Sequence, residues 1–569
     1  MTQAETSLPK LIPAVEGLQH ALVEMTFPLR LTETAHAAAM RQELLEQLQD
    51  YVLPRLRYMD APLLAVIGGS TGAGKSTLVN SVIGAEVSRS GVIRPTTTSP
   101  VLVHHPEDEH WFSDRRILPG LARVTGQVGE EPQPGTVRLV GSTTLPPGMG
   151  LLDAPDIDSV VDANRALADQ LLNAADLWLF VTTAARYADA IPWDLLRRAH
   201  ERGTAVAIIL DRIDPEVIDE VRPHLIDMLR EQGLGVSPVF TIPETKLRAD
   251  GLLPVEAFDR LRAWLEALAS DRRAREVVVY QTLEGALVSL EDRADAVLDA
   301  SRVQTEAISS LDGACQGAYA AARAAVHEGV VDGSLLRGEV LARWQELIGT
   351  GEFFRQVEAR VSKMRDRLTA AVKGTPPPVE NVGEALQSGV AALVQAHAQA
   401  AVSDISRAWR TLPGGAALLT DQPELAKPAP DLQERVDRLV RGWQGDLLDL
   451  IRSESGNRRT NARIAAYGVN GIGLFLMLLV FTHTAGLSGA EVGIAAGTTA
   501  LAQKVLEAIF GDQAVRSMAA KARTMLLERV EALYAEEQAR HTAAIGSVAQ
   551  VDAQAGALKA AIAEVKENT

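Results

Sequence analysis

Within residues 1–60, Met40, Leu44, Leu45, Leu48, Val52 and Leu56 recur at the spacing of one helix face. Near Ala61 the period changes. Short apolar runs ("LLAVIGG", "TVRLVG", "GLLDAPD", "DLWLFVTT", "AVAIILD" and "SPVFTI") alternate with helical patterns as far as about Ser270. Strands separated by helices predict an α/β domain with a mainly parallel sheet and helices on both faces. Beyond it the strand signal disappears. Leu283, Leu287, Leu290, Ala294 and Val297 form one helical stripe, and similar patterns recur toward Val372. "GTPPPVE", Gly374 to Glu380, breaks the helices, and a Pro/Gly-rich joint lies at Leu412 to Pro430. Helical pattern resumes from Leu432 to Ser453, and Leu526, Val530 and Leu533 supply a last amphipathic stripe. The expected division is an N-terminal helical segment (1–60), the α/β domain (61–270), an extended α-helical bundle (271–457), an apolar hairpin with basic flanks (458–511) and a C-terminal bundle helix (512–569).

The hairpin rests on two runs. "IAAYGVNGIGLFLMLLVF", Ile464 to Phe481, spans roughly 27 Å as a helix, close to the thickness of a bilayer's hydrocarbon. Its apolar side chains from Ile472 to Phe481 favour insertion by roughly 2.4–4.8 kcal/mol, offset in part by Asn470 and by Gly468, Gly471 and Gly473. The second run, Gly489 to Ala502, places Gly489, Gly493 and Gly497 on one face, a spacing that lets helices approach closely in lipid. Arg458, Arg459 and Arg463 precede the first run, and Lys504, Arg516, Lys521 and Arg523 follow the second. "THTAGLSG" between them holds no Lys or Arg. That asymmetry predicts a membrane hairpin with both ends cytoplasmic. The competing reading is a helical hairpin buried in the bundle, and both hold if the segment is sheltered in the free protein.

Composition narrows the classes. At 569 residues the chain is too long for one core. A net charge of −17 argues against the broad basic surface of a nucleic-acid binder. The single cysteine, Cys315, excludes an intramolecular disulfide, and its small neighbours suit packing better than nucleophilic chemistry. "MTQAETSLPK" lacks the basic start and apolar core of a secretory signal, so a cytoplasmic protein is expected, peripheral to or hairpin-anchored on the inner face of the cell membrane.

The chemistry sits in the α/β domain. "GSTGAGKS", Gly69 to Ser76, fits G-x-x-x-x-G-K-[ST] directly after an apolar strand and before a helical pattern. The nucleotide-binding residues are then Gly69, Ser70, Thr71, Gly72, Ala73, Gly74, Lys75, Ser76 and Thr77. The glycines turn backbone N–H groups toward a β-phosphate, Lys75 reaches β- and γ-oxygens, and Ser76 is a Mg²⁺ ligand. A plain Gly-rich turn is the competing reading. Asp153, ending the strand in "LLDAPD", can hold Mg²⁺ through its water shell, although a strand-end Asp also caps turns. In "GVIRPTTTSP", Thr97, with Thr96 and Thr98 beside it, is the candidate that senses the γ-phosphate and joins the metal, against a plain polar surface loop. Asp214 in "IILDRID" is placed to accept from guanine N1–H and the exocyclic amine, a pattern that rejects adenine by roughly 10⁴-fold in comparable sites.

The ordered set "GSTGAGKS", "RPTTT", "DAPD" and "DRID" resembles the phosphate-loop GTPases. With helices on both sides of the G domain and a distal apolar segment, the chain resembles the bacterial dynamin-like GTPases, and "RYADA" at Arg186 to Ala190 adds to a resemblance to the actinobacterial type. The motifs carry it from Ala61 to about Leu247; beyond that it is architectural. It implies a GTP hydrolase that uses Mg²⁺, with Lys75 and Thr97 catalytic, Ser76, Thr97 and Asp153 on the metal, and Arg212 with Asp214 on the base. It also implies membrane binding, remodelling or fusion, an anionic lipid partner at 464–502, and pairing of G domains with a second copy or a paralogous GTPase. The motifs depart from the family pattern in four places. Asp156 replaces the last Gly of D-x-x-G, Asp211 and Arg212 replace the first residues of [NT]-K-x-D, and Ile157 stands where small GTPases carry a catalytic Gln. Slow hydrolysis is therefore expected. The alternatives are a membrane-anchored GTP switch that recruits a protein, or a soluble Era-like assembly GTPase. "LSGAE" at Leu487 to Glu491 imitates a transporter-ATPase signature but lies far outside the α/β domain, and Ala154 replaces the base such ATPases use.

Overall fold

From Leu63 to Gly69 every side chain is apolar or absent, the composition of a strand covered on both faces. The computed structural model describes residues 3–88, 100–114, 116–125, 135–156, 162–331, 379–454, 469–480, 503, 506–507 and 509–569. In it this run is β1, buried throughout and interior to an eight-stranded sheet. The other strands are β2 (Val101–His104), β3 (Ala122–Val124), β4 (Thr136–Gly141), β5 (Met149–Asp153), β6 (Leu177–Thr183), β7 (Ala205–Ile213) and β8 (Val239–Pro243). Their order is β3-β4-β2-β5-β1-β6-β7-β8, and each neighbouring pair is parallel except β2 with β5. The mainly parallel sheet read from the sequence is present. The short strands β2 and β3 were not anticipated, because four and three residues are too few to show a period.

Among the described residues the helices as far as Val331 are α1 (Gln3–Glu24), α2 (Thr32–Gln47), α3 (Leu53–Arg57), α4 (Lys75–Ile83), α5 (Glu109–Phe112), α6 (Asp162–Asn173), α7 (Ala190–Glu201), α8 (Ile218–Glu231), α9 (Asp259–Ser270) and α10 (Arg272–Val331). Alternation along β1 builds a core on each face of the sheet. Leu63, Ala65 and Ile67 pack with Leu78, Val79 and Ile83 of α4 and Leu261, Leu265 and Leu268 of α9. Leu64 and Val66 belong to the opposite core, with Leu171 of α6, Leu196 of α7 and Leu229 of α8.

The chain divides into two compact units. The first comprises residues 1–27, 32–303 and 551–569, and the second residues 28–31 and 304–550. A third core of the first unit joins Leu18 and Leu22 of α1, Leu48 and Val52, Leu287, Leu290 and Val297 of α10, and Leu558 and Ile562 of the last helix, Val548–Asn568. This core is pinned to the sheet through Asp176. Arg55 Nε donates to Asp176 Oδ1 at 2.9 Å, and Arg55 Nη2 pairs with Oδ2. Leu64 N donates to Oδ2 at 2.8 Å, and Thr282 Oγ1 of α10 donates to the Asp176 carbonyl at 2.9 Å. Beside it Gly203, at φ +74°, lies so close to Gly285 of α10 that a Cβ on Gly203 would collide with the Gly285 backbone.

In the second unit buried aromatic side chains fasten helix to helix. Trp409 Nε1 donates to the Leu311 carbonyl at 3.0 Å, Trp443 Nε1 to Ala522 at 2.8 Å, and Tyr534 OH to Val394 at 2.7 Å. Helix Leu432–Ser453 buries Val436, Leu439, Val440, Trp443, Leu447, Leu450 and Ile451, a stripe at helical spacing. Cys315 is buried here, and burial pushes its thiol up to about 12, so it packs and does not react. The expected single helix over 512–569 is two, Asp512–Ile545 and Val548–Asn568, parted at Gly546 with φ +84°.

The expected hairpin is not shown. Residues 455–468 and 481–502 lie outside the described set. What is described is a 12-residue helix, Val469–Val480, packed on helices Leu432–Ser453 and Asp512–Ile545. Its Leu474, Leu476, Met477, Leu479 and Val480 are buried, and Arg523 donates to the Val480 carbonyl at 2.7 Å. Among the described residues no helix is long and apolar enough to cross a membrane.

Arg55→Ala strands the buried Asp176 carboxylate and should cost about 3–5 kcal/mol, read as a lowered urea midpoint for the first unit. Replacing both partners with apolar residues of similar volume should cost clearly less. Equal losses would remove the ion pair from the account.

Candidate nucleotide site

β1 ends at Gly69, where φ is +149° and a Cβ would collide with the Val181 carbonyl. The chain then turns across the carboxyl ends of the parallel strands, the crevice where ligands bind in open α/β sheets. Gly74, at φ +95°, closes the turn as the N-cap of α4. The first turn of α4 thus directs its backbone N–H groups at the loop's hollow, an arrangement suited to an anion. Ser70 Oγ is buried with no hydrogen-bond partner among the described residues, as expected of a group awaiting a polar ligand.

Lys75 is buried and donates to the carbonyls of Gly69 and Ser70 at 2.8 and 3.0 Å and to Asp156 Oδ1 at 2.5 Å. Ser76 Oγ donates to Asp153 Oδ2 at 2.7 Å, and Ser88 Oγ donates to the same oxygen at 2.6 Å. Asp153 Oδ1 is buried and without a partner among the described residues. Burial pushes the Asp153 carboxyl up, against the hydrogen bonds from Ser88 and Ser76 and the charge of Lys75. An orphaned carboxylate oxygen beside a serine hydroxyl fits Mg²⁺, which takes few protein oxygens and completes its shell with phosphate and water.

Ser88 was not singled out in the sequence, and the structure shows what places it. Asn80 of α4 accepts from Val87 N and Ser88 N at 2.9 Å each and donates to the Ser88 carbonyl at 2.7 Å. That clamp folds the segment after α4 back over Asp153. A lone asparagine in a helix and a lone serine after it carry no motif. Thr97, with Thr96, Thr98 and Ile157, lies outside the described residues.

Toward the end of β7, Asp211 is buried and its carboxylate lies against the phosphate loop, where a Cβ on Gly74 would collide with Oδ2. Arg212 N donates to Asp211 Oδ1 at 2.8 Å, and Arg212 itself sits at φ +53°, a left-handed turn rare outside glycine. Arg212 and Asp214 are exposed, and Asp214 Oδ1 accepts from Glu216 N at 3.0 Å. The segment after β8 is tied to this end by Glu244 N donating to the Ile213 carbonyl at 3.0 Å. "RYADA" forms the turn after β6, where Tyr187 OH meets His224 Nδ1 at 2.8 Å.

Residues 64–212 match the model of a family described as the Dynamin family. No curated protein matches the chain. Among solved structures, two chains of an oligomerised bacterial dynamin pair, described in connection with long-range sensing and tethering of membranes, align at 9% identity with TM-scores of 0.48 and 0.45. The alignments cover 100% and 96% of this chain and 96% of each of theirs. Era from Aquifex aeolicus, bound to GDP·AlF4⁻, aligns over 37% of this chain and 57% of its own at 18% identity, with a TM-score of 0.24.

Burial raises the Asp211 carboxyl to about 6, against the backbone hydrogen bond and charge of Arg212. The folded state therefore holds this proton more tightly than the unfolded chain. Stability from the group is full below about pH 4 and is lost as pH rises through about 6. Asp211→Asn should thus gain stability over the natural chain across that window, reaching at most about 3 kcal/mol at pH 7.5. Paired urea melts at pH 4.5 and 7.5 test this; an unchanging difference would show Asp211 does not titrate there.

Proposed function

We propose that this chain, whose residues 64–212 match the Dynamin family model, is a dynamin-like GTPase that binds guanine nucleotide with Mg²⁺ at Gly69–Thr77, hydrolyses GTP slowly and couples that cycle to membrane binding, remodelling or fusion. The observation that carries the nucleotide half is the meeting of Ser76 with Asp153 at the end of β5, with the Lys75 charge acting on the same carboxylate. Lys75 attracts the β- and γ-phosphate oxygens and is one of the two catalytic residues. Ser76, Asp153 and Thr97 would hold Mg²⁺, which supplies neutralisation of phosphate charge when bound. Arg212 lays its stem along the base, and Asp214 accepts from guanine. With Ile157 where a water-orienting Gln is absent, water is positioned by the Thr97 region or by a partner G domain, from a second copy or a paralogous GTPase.

The membrane half is supported by the charge pattern around the apolar runs and by the state of the described helix. Moving Leu474, Leu476, Met477, Leu479 and Val480 from the bundle into water would cost about 1.5–3 kcal/mol per fully buried side chain. In lipid that cost vanishes, so the segment leaves its shelter only against a bilayer. Each basic residue of the flanks contributes about 1 kcal/mol near anionic lipid on the inner face of the cell membrane. The same burial also supports a second reading, a GTP switch whose helix stays in the bundle and which recruits a protein partner.

Dilute monomer should turn over GTP below roughly 1 s⁻¹, and a faster rate would oppose the assignment of slow unassisted hydrolysis. Flotation with anionic liposomes should strengthen with a non-hydrolysable GTP analogue relative to GDP, and weaken in the triple variant Arg458→Glu, Arg459→Glu, Arg463→Glu. Equal binding in every nucleotide state would leave a static anchor. No binding would return the segment to the bundle core. Leu476→Asp is a poor probe, because Leu476 is fully buried and its loss would disturb the bundle itself.

A further inference from the structure

A lysine ammonium has three hydrogens to donate. At Lys75 three described acceptors take them: the carbonyls of Gly69 and Ser70, which belong to the phosphate loop, and the Asp156 carboxylate. The last comes from the segment after β5 and meets Lys75 across the site. Both side chains are largely withdrawn from water, at 5% and 14% exposure. A lysine in this position of a phosphate loop serves β- and γ-oxygens. Here one of its donors is already given to an anion.

We propose that Asp156 sets the site's choice between nucleoside diphosphate and triphosphate: its carboxylate occupies Lys75 in place of the terminal phosphate. A diphosphate then binds beside an intact Lys75–Asp156 pair, whereas a triphosphate binds only by breaking it. The inference rests on the nucleotide-binding reading above and adds the identity of the discriminating residue.

The physics runs one way. A terminal phosphate brought to Lys75 meets a like charge in a poorly hydrated site, where such repulsion is weakly screened. The displaced carboxylate must also find another donor or water, since an unpaired buried charge is unfavourable. A diphosphate brings its β-phosphate to Lys75 but no γ-phosphate to the position of the Asp156 carboxylate, so the Lys75–Asp156 pair stays intact beside it. Asp153 does not share this role. Its Oδ2 receives the hydroxyls of Ser76 and Ser88, and its Oδ1 has no described donor.

The test is fluorescence titration of the full chain, with Mg²⁺, using labelled GDP and a labelled non-hydrolysable GTP analogue. The natural chain, Asp156→Asn, Asp156→Gly and Lys75→Ala are compared. The natural chain should bind GDP about tenfold or more tighter than the analogue, and Asp156→Asn and Asp156→Gly should each tighten the analogue by about tenfold while changing GDP far less. If Lys75→Ala loses binding but the GDP-to-analogue ratio is the same in the natural chain and both Asp156 variants, the role of Asp156 is overturned and the nucleotide site stands. If Asp156→Asn and Asp156→Gly shift both nucleotides alike, the residue is structural and the proposal is again overturned. Absence of binding in every protein would overturn the nucleotide reading together with this one.

Discussion

Asp176 is the buried charge on which the first unit depends. It stands just before β6, away from water, and a carboxylate there is tolerable only with donors on every side. Arg55 supplies two, the β1 backbone a third, and α10 binds the carbonyl of the same residue. The guanidinium also donates to the carbonyls of Ala61 and Pro62 at 3.0 and 3.2 Å, which fixes the entry of the chain into β1. The start of β1, the N-terminal helices and α10 are thereby held to one point. Since β1 runs straight from that point to Gly69, the phosphate loop has a rigid base.

At the other end of β1 the sheet gathers charges. Lys75 comes from α4, Asp153 and Asp156 from the end of β5 and the segment after it, and Asp211 from β7; the first two carboxylates face the Lys75 ammonium, and the third lies against Gly74 at the N-terminus of α4. Buried like charges are tolerated where each has a donor or a ligand to come. Asp153 has serine hydroxyls on one oxygen and an orphaned second oxygen, Asp156 has Lys75, and Asp211 has the Arg212 N–H. The site therefore holds more carboxylates than cations, and an incoming phosphate must alter their pairings. Sequence motifs describe what such a loop binds; the acidic surroundings govern which charge state it accepts.

The apolar run carries a different lesson. Its length and flanks fit a bilayer, yet its described part lies against other helices with Leu474, Leu476, Met477, Leu479 and Val480 buried. Both follow from one property. A helix apolar on all sides avoids water equally well in lipid and in a helical bundle, so hydropathy sets what it avoids and leaves its partner open.

Features whose causes are local could be read directly along the chain. Strand β1 was legible because its whole run is apolar, the phosphate loop because Gly69, Gly74, Lys75 and Ser76 stand at a fixed short spacing, and the Leu283 to Val297 stripe because helical spacing is a short-range property. The short strands β2 and β3 left no such trace. Which charges meet is set by the folded chain. Ser88 reaches Asp153 across 65 residues, Asp156 reaches Lys75 across 81, and Arg55 reaches Asp176 across 121. Those pairings depend on where strands begin and end within the sheet, and no pattern in a few neighbouring residues encodes that position.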